Sequence, residues 1–227
     1  MGTMNRVRSA DSPKTRDFRP LVSRLAACLL FLSAAGVMSA NAPAQQWSVV
    51  SEKEGVQLES RRVAGERFEQ LRVETITEAD PVALADYLFG KYLDEKNRNI
   101  ARTFVQRGTH LTIWSDVLST PMISARCYSM RFKRVDGANG VIRVTFSSLD
   151  YVGTTQVPGC ISLRSRGEWT LTPSGTGTLL RYVSMTDIGG KVPVAFARRT
   201  LSSAAVLSVR KVVAGASGLP LPRGIGD

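Results

Sequence analysis

Apolar and polar residues alternate along most of the chain between residues 47 and 187, which is the period of half-buried β-strands. Candidate strands are residues 56–61, 68–76, 104–106, 111–117, 122–135, 141–149, 161–172 and 178–187. Short turn-forming stretches, such as 136–140 (DGANG) and 173–177 (PSGTG), have the right length to join antiparallel neighbours. The pattern predicts one long antiparallel sheet that runs as a meander.

Two segments have the period of a helix instead. Asp80 and Pro81 supply a cap and a first-turn proline for a helix that runs to Leu93. A longer helix is predicted from Pro193 to about Ala214, with Arg199, Ser203 and Arg210 on its polar face. Its apolar face consists of Val194, Ala197, Leu201, Ala204, Ala205, Val209 and Val212. A face so rich in alanine either packs very close to the sheet or leaves space beneath the helix.

These elements define an α+β domain in which a curved antiparallel sheet wraps around the last helix. One connection, residues 150–159, is longer than a hairpin needs and contains two glycines and a proline. Long ordered loops of this kind are more often functional than accidental. We therefore expect this loop to border a functional site.

Residues 1–44 have the organisation of an export signal. A polar stretch with six Arg and Lys precedes an apolar run from Leu25 to Met38, which is shorter than the roughly 20 residues of a spanning helix. We predict cleavage after Ala44, with a leader retained as an anchor as the alternative. Cys28 does not fit a lipoprotein signal, because the apolar run follows it. The chain then consists of a signal peptide (1–44), one domain (45–217) and a flexible tail (218–227), and is exported to the periplasm or secreted.

The composition, 43% hydrophobic and 22% charged, is that of a soluble globular domain that needs no metal or dense disulfides to fold. The net charge of +11 falls to +7 without the leader, with 24 Lys and Arg against 17 Asp and Glu. The arginines are scattered among acidic residues without interleaved aromatics, which argues against nucleic-acid binding. After export only Cys127 and Cys160 remain, either as a disulfide or as two small buried residues.

Catalytic motifs are scarce in the sequence. His110 is the only histidine and lies beside a turn, so no histidine-based zinc site can form. The sequence contains no dinucleotide fingerprint, P-loop or serine nucleophile elbow. A cysteine nucleophile paired with His110 stays open, but two exported cysteines favour a structural role. We expect no cofactor.

Arg126 is a charged residue within a strand that otherwise has a buried pattern. It shares a face with Tyr128, Met130 and Phe132. A charge there needs a partner or a polar ligand group, because an unpaired buried charge is very costly. Arg126 is therefore a candidate ligand-binding residue.

Several segments resemble the START lipid-transfer domains. Residues 121–128 (PMISARCY) are similar to the P-M-x-x-x-R-D-Y stretch of that family, and 182–193 (YVSMTDIGGKVP) to its Y-x-x-x-x-D-x-G-G-x-I-P segment before the C-terminal helix. Residues 169–173 (WTLTP) match the W-x-L-x-P strand end of that family. Trp47 with Gly55 and Val56 matches the opening of the family pattern, W followed by E-x-x-G-V. The resemblance runs in order from Trp47 to about Ala214. We interpret the chain as an exported bacterial member of this family.

The resemblance implies a helix-grip fold, in which the sheet and the long C-terminal helix enclose a hydrophobic cavity for one lipid-like molecule. It places the 150–159 loop beside the cavity mouth, the last helix as its lid, and Arg126 at a position similar to one that contacts a lipid head group in phospholipid-binding members. Cys127 replaces the acidic residue of the family pattern, so the buried Arg–Asp arrangement is not carried over. The predicted ligand-binding residues are Arg126, Tyr128, Met130, Tyr151, Val157, Arg164, Met185, Phe196, Leu201 and Ala205.

We predict a monomeric, non-enzymatic protein that binds a lipid or other hydrophobic small molecule, carries it between membranes and contacts membrane surfaces transiently. One alternative is an enzyme of the polyketide cyclase or aromatase type, since helix-grip relatives include such enzymes. Its acid–base groups would be Arg126, Tyr128, Tyr151 and Glu168. Another alternative is a structural envelope module whose interior is an ordinary core.

Overall fold

The computed structural model describes residues 46–120, 123–153 and 157–222. The ten strands are β1 (Ser48–Lys53), β2 (Val56–Arg61), β3 (Gln70–Thr77), β4 (Ile100–Gln106), β5 (Leu111–Thr120), β6 (Ile123–Asp136), β7 (Ile142–Leu149), β8 (Ile161–Ser162), β9 (Arg164–Ser174) and β10 (Gly177–Asp187). The helices are α1 (Pro81–Phe89), α2 (Lys91–Asp94) and α3 (Val194–Ala216). The predicted signal peptide and its cleavage site lie outside the described residues, as does the end of the predicted tail.

The strands form one sheet in the order β1-β2-β3-β10-β9-β7-β6-β5-β4, in which all neighbours are antiparallel. The predicted antiparallel α+β fold is confirmed, but the sheet is two meanders rather than one. They join where β10 pairs with β3, from Thr178 opposite Thr77 to Ser184 opposite Leu71. The short β8 lies off this path and pairs in parallel with β6.

The first predicted helix is divided in two. The Asp80 carboxylate accepts hydrogen bonds from the amides of Val82 (2.7 Å) and Ala83 (3.4 Å), so the helix begins where the sequence predicts. At Gly90 the backbone (φ −105°, ψ −108°) leaves the helical region, and α2 starts in a new direction. Together α1 and α2 carry the chain from β3 to the far edge of the sheet.

The core lies between the inner face of the sheet and the helices. α3 packs on β2, β3 and β10, and α1 packs on β7, β9 and α3. Gly215 permits the close approach of α1, since a Cβ at that position would lie 2.0 Å from Cζ of Tyr87. Aromatic rings fill the rest of the core, including Trp114 against Phe132 (centroids 4.8 Å apart) and Trp169 against Tyr182 (4.2 Å).

The predicted apolar face of α3 is only partly buried. Ala197, Ala205, Val209 and Val212 are buried. Val194, in the first turn, is 46% exposed, and Ala204 is exposed as well. Within the described residues, no helix combines the length and apolar character that crossing a membrane requires.

Candidate ligand-binding site

A small cavity, partly open to solvent, lies between α3 and the sheet. Its volume is about 70 Å³, and it is lined by Glu69, Leu71, Tyr182, Ser184, Thr186, Leu201, Ala204, Ala205 and Ser208. The predicted residues Leu201 and Ala205 thus lie at the cavity. Of the two arrangements that the alanine face allows, this part of α3 leaves space, whereas Ala197 and Ala205 themselves are buried.

A larger pocket opens from the cavity to the surface. It has a volume of about 320 Å³ and lies between the β2–β3 connection and the first turns of α3. Glu69, Leu71 and Leu201 line both the pocket and the cavity, so the two adjoin. The passage between them runs between β3 and the N-terminal half of α3.

Tyrosines give the inner end of the site a polar character. The hydroxyl of Tyr92 donates a hydrogen bond to Oγ of Ser208 at 3.2 Å. The Tyr182 ring packs against Trp169 at an angle of 34°, and the Tyr92 ring lies edge-on to the same tryptophan at 6.3 Å. Burial raises the pKa of both tyrosines. Both hydroxyls therefore stay neutral at physiological pH and can donate hydrogen bonds.

A buried ion pair lies further along the inner face, between β4 and β5. The Arg102 guanidinium donates two hydrogen bonds to Asp116, from Nε to Oδ1 (2.8 Å) and from Nη2 to Oδ2 (2.7 Å). Nε1 of Trp114 donates to the same carboxylate at 3.0 Å. Burial and the Asp116 carboxylate raise the pKa of Tyr128. This cluster places a fixed pair of opposite charges inside the core.

Sequence reasoning missed this cluster, although a signal was present. Asp116 has the same pattern as Arg126, since it is charged within an apolar strand and shares a face with Trp114. Its partner Arg102 is directly opposite on the next strand. That pairing could be inferred only once the register between β4 and β5 was known.

Arg126 is 3% exposed and contacts backbone rather than acidic side chains. Its Nε donates to the carbonyl of Ile188 at 3.0 Å, its Nη2 to that of Gly189 at 3.3 Å, and its Nη1 to that of Ser124. No carboxylate of the described residues lies within 4.0 Å of it. Arg126 thus holds the turn between β10 and α3.

The 150–159 loop is anchored on the face of the sheet opposite the core. Cys127 and Cys160 form a disulfide, which answers the question that the sequence left open. The amide of Val152 donates to Oγ of Ser129 at 2.9 Å. Because Tyr128, Met130 and Phe132 face the core, Cys127 and Ser129 face outward. Residues 152 and 160 are therefore attached to the face of β6 opposite Tyr128 and Met130, and the position of the loop beside the cavity mouth stays a prediction.

The other predicted site residues are dispersed. Tyr128 and Met130 lie in the core on β6, whereas Tyr151 and Val157 belong to the 150–159 loop. Arg164 and Met185 line a separate surface pocket of about 330 Å³. Phe196 is 55% exposed on α3. Only Leu201 and Ala205 of the predicted set line the cavity between α3 and the sheet.

The groups expected for a cyclase are not brought together. Trp169 and Leu171 of β9 are buried in the core, so Glu168 faces the opposite side. Its carboxylate accepts a hydrogen bond from Thr170 at 2.7 Å. Arg126 and Tyr128 are on the inner face of β6, separated from Glu168 by the sheet.

No protein-family model matches the chain, and no curated protein matches it in sequence. Solved structures do match. A STAR-related lipid transfer protein from Xanthomonas axonopodis has a TM-score of 0.65 at 20% identity, over 75% of this chain and 98% of that chain. Human STARD10 has a TM-score of 0.63 at 12% identity (75% and 73% covered). Human StAR-related lipid transfer protein 5 has a TM-score of 0.57 at 18% identity (77% and 89% covered).

The sheet order and the long terminal helix, together with these matches, define the class as a helix-grip fold. More particularly, the chain has the fold of the StAR-related lipid transfer domains. This agrees with the sequence motifs at residues 121–128 and 182–193.

Proposed function

We propose that the domain binds one lipid or other hydrophobic small molecule between the sheet and α3, without catalysing a reaction. The observation that carries this proposal is the cavity between α3 and the sheet, which shares the lining residues Leu71 and Leu201 with a larger pocket at the surface. Lipid-transfer domains of the same fold support it.

The cavity is too small for a lipid in the closed arrangement. Its 70 Å³ holds only a few heavy atoms, whereas pockets for drug-sized ligands have volumes of about 300–1,000 Å³. A lipid can therefore occupy this cavity only if the N-terminal half of α3 moves outward. Ala197 and Ala205 are the buried residues of that half, and Val209 and Val212 those of the other half. Moving the N-terminal half of α3 away from the sheet exposes less apolar surface than moving the C-terminal half, because alanine side chains are smaller than valine side chains.

A carrier that exchanges lipids must also contact membranes. Val194 and Phe196 are 46% and 55% exposed in the first turn of α3, and Arg199 is exposed one turn further along. Apolar side chains can enter the interfacial region while a nearby arginine contacts acidic head groups. We propose that this end of α3 makes the transient membrane contact needed to carry a lipid between membranes.

Export to an oxidising compartment belongs to the same proposal. The predicted signal peptide would direct the chain there, and the Cys127–Cys160 disulfide is typical of such compartments. The contact between Arg126 and a lipid head group stays a prediction, since the described partners of Arg126 are backbone carbonyls.

Native mass spectrometry of the purified full chain tests the proposal. After incubation with phospholipid vesicles, we expect a lipid-sized adduct on the wild type. Ala205→Trp places a large ring in the cavity and should abolish the adduct. Ala195→Trp introduces the same ring at an exposed position of α3 and should retain it. A wild type without any adduct, or an adduct that survives Ala205→Trp in a folded protein, contradicts the proposal.

A further inference from the structure

The turn that leads from β10 into α3 has one internal side-chain hydrogen bond, from the amide of Gly189 to Oδ1 of Asp187 at 2.9 Å. Gly189 (φ 65°) and Gly190 (φ 66°) both adopt the left-handed region, which costs glycine little. Pro193 is the N-cap of α3, and no side-chain hydrogen bond caps the helix there. The position of the N-terminal half of α3 therefore depends on what holds residues 188–192.

Two arginines from different elements hold this turn by its carbonyl groups. From β6, Arg126 donates to the carbonyls of Ile188 and Gly189. From the β2–β3 connection, Arg67 donates from Nη1 to Gly190 and from Nη2 to Val192, both at 2.6 Å. Next to Arg67, Phe68 is 5% exposed and packs with Val192 and Ala197 in a small apolar cluster. The turn is thus fixed from both sides.

The two arginines differ in access to solvent. Arg126 is 3% exposed, whereas Arg67 is exposed and lies at the rim of the 320 Å³ pocket. The described residues offer Arg67 only neutral carbonyls as hydrogen-bond acceptors and the Phe68 ring at 4.9 Å. Hydrogen bonds between an arginine and an anion are roughly twice as strong as neutral ones, and a phosphate can accept two from one guanidinium. A phosphate group can therefore compete for Arg67.

The surroundings of Arg67 favour an anionic surface. Arg62 and Arg198 line the same pocket, together with Val194. The two acidic residues of the pocket are already paired, Glu66 with Arg166 and Glu69 with Arg198. The rim of the pocket therefore carries positively charged side chains next to the exposed apolar side chain of Val194. This combination favours binding to a bilayer that contains acidic lipids.

We infer that Arg67 is a latch that anionic membranes release. In solution its guanidinium holds the carbonyls of Gly190 and Val192, which keeps the N-terminal half of α3 on the sheet. At a bilayer, lipid phosphates take over the guanidinium, the turn moves about Gly189 and Gly190, and the passage between Leu71 and Leu201 widens. The inference deepens the proposed function and rests on it for its biological role.

Hydrogen–deuterium exchange of the full chain tests the latch directly. For the amides from Ala197 to Leu201 we expect slow exchange in buffer and with phosphatidylcholine vesicles, and about tenfold faster exchange with phosphatidylglycerol vesicles. Inorganic phosphate at the same phosphorus concentration should change nothing, because it lacks the surface potential of a bilayer. Arg67→Gln should exchange about tenfold faster in buffer and respond no further to vesicles.

Arg143→Gln is the matched control. It removes the same charge from an exposed residue of β7, outside the proposed membrane contact, that makes no ion pair with the described residues, and it should keep both the slow exchange in buffer and the vesicle response. Slow exchange in Arg67→Gln, or a vesicle response that persists in it, overturns the latch. If inorganic phosphate accelerates amide exchange as much as phosphatidylglycerol vesicles do, Arg67 responds to a free anion, and the membrane role is overturned. Because the readout is amide exchange, it is independent of whether a lipid adduct is found.

Discussion

Asp116 has no exposed surface, yet it accepts hydrogen bonds from both Arg102 and Trp114. A buried ion pair is weak evidence for net stability, because both charges lose their hydration. Removing one partner is different, because it leaves an uncompensated charge inside the protein. The side chain of Arg102 is only 22% exposed and could not recover full hydration.

Asp116→Ala should therefore lower the free energy of unfolding by about 3–5 kcal/mol. The matched control is Asp94→Ala, which removes the partner of Arg107 from an exposed pair and should cost less than about 1 kcal/mol. Urea denaturation of both variants measures the difference. An equal loss of stability in Asp116→Ala and Asp94→Ala would contradict this prediction, because it would show that the Arg102 charge does not need the Asp116 carboxylate.

Among the elements, the 150–159 loop shows why a loop cannot be placed from its length alone. Its length and composition marked it as unusual, and the resemblance assigned it to the mouth of the cavity, which stays a prediction. The structure adds that the disulfide to Cys127 and the hydrogen bond to Ser129 attach residues 160 and 152 to one face of β6. Which face of β6 those residues occupy follows from the inward position of Tyr128 and Met130, which the strand pattern predicts.

The disulfide should contribute to stability by restricting the unfolded chain. It joins residues 33 positions apart, for which chain entropy gives about 3–4 kcal/mol. We expect a reductant to lower the free energy of unfolding of the wild type by about this amount. The double variant Cys127→Ser with Cys160→Ser should be less stable to the same extent and should not respond to the reductant. A wild type that is unchanged by complete reduction would contradict this.

At the scale of the whole molecule, the interior should make stability sensitive to alkaline pH. Burial raises the pKa of Tyr92, Tyr128 and Tyr182, with Asp116 adding to the effect at Tyr128. In the unfolded chain tyrosines ionise near pH 10. Below that pH all three are neutral in both states. Above it the unfolded chain loses protons that the folded protein keeps, so stability falls as pH rises.

The free energy of unfolding should thus be level from about pH 8 to 9.5 and fall above pH 10. Each of the three tyrosines adds about 1.4 kcal/mol per pH unit to the slope. Tyr182→Phe retains the ring contacts with Trp169 and Phe146 and should reduce the slope by about 1.4 kcal/mol per pH unit. Urea denaturation at intervals of half a pH unit measures this. An unchanged slope in Tyr182→Phe would contradict the assignment.

The sequence by itself determined the elements and much of the architecture. Alternating apolar residues predicted most strands, and Asp80 and Pro81 predicted the start of α1, whereas the alanine face of α3 left close packing and a space beneath the helix as alternatives. These features depend on residues close together in the chain, where period and capping decide the structure. The ordered motifs that resemble START domains extended this to the overall fold.

Only the tertiary structure decided which charged residues meet. The register of β4 against β5 places Arg102 opposite Asp116, and the position of the β10–α3 turn brings its carbonyls at residues 188, 189, 190 and 192 to Arg126 and Arg67. Arg67 and Gly190 are 123 positions apart in the chain. A local pattern can predict that a residue is buried, but its partner depends on distant contacts, and those form only when the sheet and helices pack together.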